Sequence, residues 1–281
     1  MKHKTLKKAV TGIALFLLII ILAGIVSLFA SYKLLTISSY SVSHQKLLQN
    51  INAVVISDLH GSGFGKENKR LVNKIAKLDP DVIFTVGDML NNNTEDLSAL
   101  DSLYEDLAQI APVYSSLGNH EIAHPRRSEI EDIFRKHSTF LHNEYKEITI
   151  NGTNIRIGAL AAYHPSFEDL NEYLRDFADT DKFTLLLSHC PEYYFWGINK
   201  VKIDLMLSGH SHGGQVIVPF KGGLFAPEQG WWPKYDYGVF HEEMATLVVT
   251  RGLGSSKQKA PRFNNPPEIL SLTLSPEADY E

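Results

Sequence analysis

The chain has 281 residues, of which 44% are hydrophobic and 21% are charged, a composition typical of a folded globular protein and unlike that of a disordered one. Its formal net charge is −5, and because residues 1–33 contain five lysines and no acidic residue, the remainder is more acidic still. This excludes a nucleic-acid-binding protein that works through a basic surface. The single cysteine, Cys190, excludes an intramolecular disulfide and a cysteine-rich zinc module.

An apolar segment without charged residues runs from Ala9 to Tyr32. About 20 apolar residues are needed to cross a bilayer, so we predict that residues 1–33 form a cytoplasmic stub and a transmembrane anchor. The alternative is a cleaved signal peptide, whose apolar region usually has about 7–15 residues and is followed by a small-x-small cleavage site. Here the segment is longer and residues 28–31 match such a site poorly, which favours an uncleaved anchor.

The lysines that flank this segment predict its orientation. Lys33 and Lys46 follow it, whereas four lysines precede it: Lys2, Lys4, Lys7 and Lys8. Because positively charged flanks tend to stay in the cytoplasm, we predict a single-pass protein of the cell membrane. Its N-terminus would be cytoplasmic and its main domain extracytoplasmic.

Residues 34–50 are polar and weakly patterned, which predicts a juxtamembrane tether, and residues 51–281 are expected to form one domain. The first half of that domain alternates apolar runs with amphipathic segments, which predicts β-α-β units and a parallel sheet with right-handed crossovers. Its predicted elements are a strand over residues 53–58, a helix over 66–78, a strand over 82–88, a helix over 94–110 with Thr94 as N-cap, and a strand over 112–118.

The second half changes from this alternation to β-hairpins. Asn151-Gly152 lies between two apolar stretches and is a two-residue hairpin signal. The predicted elements are helices over residues 128–136 and 167–177 and strands over 145–150, 154–160, 183–189, 204–208, 215–219, 237–241, 245–250 and 269–274.

Polar residues stand where five of the predicted strands end. Parallel strands bring their carboxyl ends to one edge of a sheet, so these side chains are expected to meet. The set consists of Asp58, His60, Asp88, Asn119, His189, His210 and His212. We predict a two-metal site centred on Asp88, because two divalent ions can activate water and clamp both oxygens of an in-line displacement. Imidazole-rich ligation favours zinc, iron or manganese over magnesium or calcium. His120 follows Asn119 directly and is expected to face the substrate as general acid or as a cation.

These residues carry a resemblance to a known family. Asp58-x-His60, Gly87-Asp88, Gly118-Asn119-His120-Glu121, His189 and Gly209-His210-Ser211-His212 resemble the five ordered motifs of the calcineurin-like metallophosphoesterases. The resemblance implies a four-layer α/β sandwich of two mixed β-sheets flanked by helices. It also implies two divalent metal ions and a phosphoester substrate.

The resemblance assigns the ligands to two ions. Asp58, His60, Asp88 and His212 would hold the first ion, and Asp88, Asn119, His189 and His210 the second. A hydroxide bridging both ions would attack phosphorus in line. Asn119 would hold phosphoryl oxygens together with the ions, and His120 would protonate the leaving oxygen. Asp88, Asn119 and His120 are therefore the predicted catalytic residues.

Later segments are similar to a membrane-anchored bacterial branch of this family, the YkuE and YaeI type. They include Gly209–Gln215, Arg251–Gly254 and Arg262–Ile269. The branch implies phosphodiester or pyrophosphate hydrolysis, with lipid-linked nucleotides among the substrates. One departure is that residues 158–165 replace the Gly-x-Asp-Asp that members often carry, so the substrate edge around His164 is expected to differ. The alternatives are a phosphomonoesterase or protein phosphatase and a catalytically idle, metal-stabilised scaffold.

Three other groups have two interpretations each. Arg126 and Arg127 either grip a phosphate or are solvated charges, and Arg251 either binds phosphate or braces its loop. The aromatic residues 193–196 and 231–232 either form a wall for a lipid or a membrane-facing surface, or pack under loops.

Overall fold

A computed structural model describes residues 2–161, 167–255 and 261–277 of the chain. Its helices are α1 Lys2–Lys33, α2 Lys69–Ala76, α3 Ser98–Ala108, α4 Asn119–Ile122, α5 Arg127–His137, α6 Phe167–Ala178 and α7 Tyr193–Trp196. Its strands are β1 Thr36–Ser43, β2 Ile51–Ile56, β3 Val82–Val86, β4 Val113–Ser116, β5 Thr139–Phe140, β6 Glu144–Ile150, β7 Thr153–Leu160, β8 Phe183–Ser188, β9 Leu205–Ser208, β10 Ile217–Val218, β11 Gly222–Gly223, β12 Phe225–Ala226, β13 Gly230–Trp231, β14 Gly238–His241, β15 Thr246–Val249 and β16 Glu268–Ser275.

Two six-stranded mixed sheets form the centre of the domain. The first has the order β1-β16-β2-β3-β4-β5, and the second has the order β14-β15-β9-β8-β7-β6. β2 to β5 run parallel, as do β7, β8, β9 and β15, whereas β16, β14 and β6 each pair antiparallel with a neighbour. The predicted hairpin at residues 151–152 is confirmed by the pairing of β6 with β7.

Alternation along the strands builds four layers, because successive side chains of a strand point to opposite faces. In β2, Ala53 and Val55 pack between the two sheets, whereas Val54 and Ile56 pack under α2, α3 and α5. In β8, Leu185 also lies between the sheets and Leu186 packs against α6 and α7. The order is therefore helices, sheet, sheet, helices, which confirms the predicted fold class.

The carboxyl ends of the central strands of both sheets meet at one edge of the sandwich. β2, β3 and β4 of the first sheet and β8 and β9 of the second deliver the residues that the sequence singled out. This edge is the location that open α/β folds use for ligands.

Residues 34–50 are not the tether that the sequence predicted. β1 pairs in parallel with β16 along its whole length, from Thr36 with Glu268 to Ser43 with Ser275. Leu35, Val42 and Leu47 are buried in the domain. The serine-rich strand looked unpatterned because it lies at a sheet edge and buries few apolar side chains. The folded domain therefore begins well before residue 51.

The helix predicted from Thr94 begins at Ser98, so the prediction of Thr94 as its N-cap is wrong. The Thr94 hydroxyl instead accepts a hydrogen bond from the Asn91 N–H at 3.1 Å, and the Thr94 N–H donates to the Asn91 carbonyl at 3.0 Å. These local bonds close a turn that competes with a helical start. His164 lies outside the described residues.

Among the described residues, one helix is long and apolar enough to cross a membrane, over Val10–Lys33. Its last turns contact the domain. Ser31 is fully buried, and its hydroxyl accepts a hydrogen bond from the Asn265 N–H at 3.0 Å. The Tyr32 hydroxyl accepts one from the Arg262 N–H at 3.1 Å. The helix thus runs directly into the fold.

Candidate metal centre

The seven predicted ligands converge where the two sheets meet. Asp58 and His60 follow β2, Asp88 follows β3, and Asn119 begins α4 after β4. The second sheet contributes the other three: His189 after β8, and His210 and His212 after β9. Six of the seven are buried and Asn119 is half-buried. A carboxylate, an amide or an imidazole buried in this way needs a partner, because an unpaired polar group is costly to desolvate.

One group of ligand atoms consists of Asp58, His60 and His212, all within 4.8 Å of one another. The Nε2 atoms of the two imidazoles face each other at 3.3 Å, and Oδ1 of Asp58 lies 3.8 Å from His60 Nε2 and 3.6 Å from His212 Nε2. If both rings are neutral, one Nε2–H can donate to the other Nε2, but the Nδ1 atoms of both rings are buried without a hydrogen-bond partner among the described residues. A divalent cation fits this donor set.

A second group consists of Asp88, His189 and His210, again within 4.8 Å. The Nδ1–H of His189 donates to the Val86 carbonyl at 2.7 Å, so in the neutral ring Nε2 carries the lone pair, and this atom lies 3.2 Å from Asp88 Oδ2. A backbone partner of this kind fixes the tautomer of a metal-binding histidine. His210 Nε2 donates to Glu228 at 2.7 Å, which leaves Nδ1 as its ligand atom.

Asp88 links the two groups. Its Oδ2 atom lies 3.7 Å from His60 Nε2 and 3.2 Å from His189 Nε2. Asn119 Oδ1 is buried and has no hydrogen-bond partner among the described residues, which suits a neutral oxygen ligand beside it. The residues therefore fit two divalent ions that share Asp88.

The backbone at these residues is unusual. Asp58, Asp88 and His212 have φ values of 53°, 54° and 48°, and His60 and His210 also lie in the left-handed region. Non-glycine residues pay for this conformation, and such residues concentrate at functional sites. Close packing holds them there: a Cβ at Gly209 would overlap Ser57 and the Asp58 carboxylate, and one at Gly118 would overlap Asp88.

Burial and charge set the protonation of the cluster before any ion binds. Burial opposes a charge on His189, but the carboxylates of Asp88 and Asp58 outweigh it and raise the His189 pKa to about 10. Burial lowers the pKa of His212 to about 3. Burial acts against ionised Asp88 as well, yet His189 and His60 bring its pKa down to about 2. Without a metal, an ion pair between His189 and Asp88 occupies the centre.

His120 lies at the rim of the cluster, with its side chain 20% exposed. Its Nδ1 accepts a hydrogen bond from the Asn92 N–H at 3.2 Å, so neutral His120 carries its proton on Nε2. Nε2 lies 3.9 Å from Asp88 Oδ2 and therefore faces the centre. Burial lowers the His120 pKa, partly against the attraction of Asp88. His120 also offers a ligand atom within 4.8 Å of those of His60 and Asp88, so it lies beside the proposed ions and within reach of a reacting oxygen.

Glu121 is a positioning residue to which the sequence reasoning assigned no role, although it stands in the motif. Its carboxylate is fully buried and accepts three backbone N–H bonds, from Asp88 at 2.8 Å, Gly118 at 2.9 Å and Leu90 at 3.2 Å. These bonds tie the turn after β3 to the turn after β4. Burial, together with the Asp88 carboxylate, raises the Glu121 pKa to about 7.

Asn265 is a second residue that the sequence reasoning missed. Its side-chain N–H donates to the His212 carbonyl at 2.7 Å and to the Gln215 carbonyl at 3.1 Å. Its Oδ1 accepts from the fully buried Arg262 at 3.1 Å. The Asn-Asn-Pro-Pro sequence at residues 264–267 is unusual enough to indicate a structured loop. No local pattern, however, connects this loop with His212.

The three arginines considered for phosphate binding already have protein partners. Arg126 forms two hydrogen bonds with Glu129, at 2.8 and 2.6 Å, and Arg127 bonds Glu131 at 2.7 Å. Arg251 bonds Glu268 at 3.0 Å and the Ser38 hydroxyl at 3.0 Å, so it braces its loop. These contacts favour the structural interpretation of all three.

Comparisons with known proteins agree with this geometry. The family model of the calcineurin-like phosphoesterases matches residues 51–214. Metallophosphoesterase Cj0846 of Campylobacter jejuni is 30% identical over 248 residues, which are 85% of this chain and 63% of that protein, so the chain spans less than two thirds of this relative.

Two relatives carry more specific descriptions. The phosphodiesterase YaeI of Escherichia coli is 27% identical over 69% of this chain and 70% of its own length. The UDP-2,3-diacylglucosamine pyrophosphatase LpxG of Chlamydia muridarum is 24% identical over 80% of this chain and 84% of its own length. YaeI is one of the two proteins that define the branch expected from the sequence. The chain belongs to the calcineurin-like phosphoesterase family, and its domain is that of a metal-dependent phosphoester hydrolase.

Proposed function

We propose that this protein is a membrane-anchored phosphodiesterase or pyrophosphatase that acts on a lipid- or nucleotide-linked phosphoester with two divalent ions. The observation that carries the proposal is the position of Asp88, whose carboxylate lies between two groups of buried imidazoles with His120 beside it. Asp58, His60, Asp88 and His212 would hold one ion, and Asp88, Asn119, His189 and His210 the other.

The chain's own residues orient the reaction. When bound, the two ions would activate water and neutralise charge on the phosphoryl oxygens. Asn119 lies beside Asp88 and helps to fix the phosphoryl group. The Nε2–H of His120 faces the centre and would donate to the leaving oxygen, stabilising it as the bond to phosphorus breaks. Imidazole-rich ligation favours manganese, iron or zinc over magnesium or calcium.

The relatives support the substrate class. YaeI is described as a phosphodiesterase, and LpxG as a pyrophosphatase whose substrate carries two acyl groups and a nucleotide. Both reactions break a phosphorus–oxygen bond of a phosphate with two substituents. The acidic domain argues against nucleic acid as substrate.

The contacts of α1 support an anchor that stays attached. Cleavage near residue 31 would remove the hydroxyl groups that Asn265 and Arg262 contact. A signal peptide has no reason to pack against the mature fold. With the lysine distribution of the sequence, the N-terminus would be cytoplasmic and the catalytic domain extracytoplasmic.

The test uses the full chain in detergent, stripped of metal and refilled with manganese, zinc, iron or magnesium. Hydrolysis of bis-p-nitrophenyl phosphate and of p-nitrophenyl phosphate is followed for the wild type, Asp88→Asn and Asp132→Asn. Asp132 is an exposed aspartate on α5 and serves as the matched control. We expect metal-dependent diester cleavage that only Asp88→Asn loses.

Other outcomes identify the alternatives. Faster cleavage of the monoester would indicate a phosphomonoesterase or protein phosphatase. Two bound ions per chain without turnover of either ester would favour an idle scaffold. Retained turnover in Asp88→Asn would refute the assignment of the centre.

A further inference from the structure

The segment from Ile217 to Trp232 contains two short hairpins, β10 with β11 and β12 with β13. It exposes four aromatic side chains to solvent, which we call the aromatic face: Phe220, Phe225, Trp231 and Trp232. Phe220 is fully exposed, at 108%, and Trp231 is 69% exposed. Single exposed apolar residues are normal, but several large aromatics in one segment indicate a binding surface.

Two residues of the aromatic face have a backbone conformation that is unfavourable for a bulky side chain. Phe220 and Trp232 have φ values of 65° and 57°, in the left-handed region that turns usually fill with glycine or asparagine. A bulky aromatic there adds strain, and at Phe220 the fully exposed side chain buries almost no apolar surface in return. Contact of these side chains with a surface outside the chain would account for both the backbone strain and the exposed apolar area.

The segment that carries the aromatic face begins, at Ile217, close to the apolar helix α1. Asn264 connects them: its backbone N–H donates to the Ser27 hydroxyl at 3.0 Å, and its side-chain N–H donates to the Ile217 carbonyl at 3.0 Å. At about 1.5 Å per residue, the helix from Val10 to Ser27 is about 27 Å long, close to the roughly 30 Å of a bilayer's apolar core. Ser27 lies within two turns of the end of the apolar stretch at Lys33, on the side where the core would meet the headgroups.

The same segment also reaches the metal centre. Glu228 accepts a hydrogen bond from His210 Nε2 at 2.7 Å, three residues before Trp231. The Gln229 side chain donates to the Ser211 hydroxyl at 3.2 Å and the Tyr235 carbonyl at 3.0 Å. These bonds fix the aromatic face relative to the ligands. Lys221 lies 4.9 Å above the Trp232 ring and places a cation where lipid phosphates would be.

We propose that the aromatic face docks into the interface of the bilayer that holds α1, and that the metal centre takes its phosphoester from the headgroup layer of that bilayer. Tryptophan side chains favour this interface, because their rings leave water while the indole N–H stays hydrated, and the two phenylalanines add apolar rings that leave water with them. The proposal rests on the anchored phosphoesterase proposed above and adds the surface that brings lipid and centre together.

Tryptophan fluorescence tests the proposal in the intact chain. The three tryptophans are Trp196, Trp231 and Trp232, so α1 contributes none. Trp196→Phe leaves the two on the aromatic face. This variant is reconstituted in phosphatidylcholine liposomes with or without brominated acyl chains, which quench only nearby indoles. We expect several-fold stronger quenching by bromines near the headgroups than by bromines deep in the core.

A matched pair of variants locates the contact. In the Trp196→Phe chain, Phe220→Ser should reduce the quenching, whereas Leu48→Ser should not. Leu48 is 65% exposed but precedes β2, at the opposite end of the strands from the centre. The proposal would be overturned if the chain floats with the liposomes but brominated lipid does not change the emission from Trp231 and Trp232. That result would point to a protein partner.

Flotation with liposomes and cleavage of the diester are measured on the same samples. Together they distinguish failure of the docking surface from failure of the proposed anchor or activity. A chain that does not float with liposomes refutes the anchor and the docking surface together. A chain that floats and shows quenching but cleaves no diester keeps the docking surface and refutes the proposed activity. A chain that floats and cleaves the diester without quenching refutes the docking surface alone.

Discussion

Asn265 donates a side-chain hydrogen bond to the backbone carbonyl of His212 while its own N–H donates to the hydroxyl of Ser31 in α1. One buried residue thus joins the end of the apolar helix to a predicted metal ligand. We expect Asn265→Ala to lower the free energy of unfolding by about 1–3 kcal/mol, because it leaves buried carbonyl groups unpaired. Metal content per chain should fall as His212 loses its support.

Thermal unfolding and elemental analysis of the purified variant check this prediction. Asn264→Ala is the matched control, since the neighbouring Asn264 is exposed and does not contact His212. Equal metal content in the two variants would show that Asn265 does not position the ligand.

His120→Gln should separate catalysis from metal binding. In the proposed assignment seven other residues hold the two ions, so the variant should keep both, although the His120 side chain lies within 4.8 Å of the ligand atoms of His60 and Asp88. Loss of the donor should reduce kcat by about 10²–10⁴-fold. The loss should be larger for an alkyl ester, whose leaving oxygen needs a donor, than for a nitrophenyl ester. A uniform loss accompanied by loss of metal would instead make His120 a ligand.

Metal binding should release a proton from His189. Its pKa in the metal-free protein is about 10, so the imidazole is protonated at neutral pH and must lose that proton to become a ligand. Metal affinity should therefore rise with pH from neutral towards pH 10. Calorimetry in buffers with different ionisation enthalpies measures the released protons directly. No release at pH 7 would contradict the prediction and show that His189 is already neutral in the metal-free protein or stays outside the coordination shell.

The raised pKa of His189 also makes the free energy of unfolding of the metal-free protein depend on pH. The folded pKa of His189 lies above the ordinary value of 6.5, so the charged form stabilises the fold. This contribution is complete below about pH 6.5 and is lost as pH rises towards 10. Urea unfolding of the metal-free chain should show the decline. His189→Gln should flatten the part of the profile that lies between these two values.

Removing β1 should destabilise the domain. A chain that starts at residue 34 keeps the eight residue pairs between β1 and β16, whereas one that starts at residue 45 loses them together with buried Leu35 and Val42. Each large buried apolar side chain contributes about 1.5–3 kcal/mol, so the shorter chain should unfold at lower urea concentration or remain insoluble. Equal midpoints for the two chains would show that β1 is dispensable.

The sequence predicted the ligand cluster because its signals are local. Each of Asp58, Asp88, His189 and His210 closely follows an apolar run, and the rule that parallel strands end at one edge brings such residues together. The structure places them there. That they bind ions remains a prediction, although the unpaired nitrogen and oxygen atoms fit it.

The parts that the sequence did not predict depend on contacts between distant segments. β1 has few large apolar residues, and its identity as a strand comes from pairing with β16 at the other end of the chain. Glu121 was visible in its motif, but its role depends on backbone N–H groups of Asp88 and Leu90, about 30 residues away along the chain. No local pattern encodes such contacts.

The position of β16 fixes an order of assembly. This strand lies between β1 and β2, although it is made more than 200 residues after them. β1 therefore has no sheet neighbour until residues 268–275 have left the ribosome, and the 262–267 loop that holds the end of α1 appears just before them. The helix precedes the domain along the chain, but its last turns can be locked onto the domain only after the 262–267 loop has been made. The junction between them therefore closes only after residues 262–275 have been synthesised.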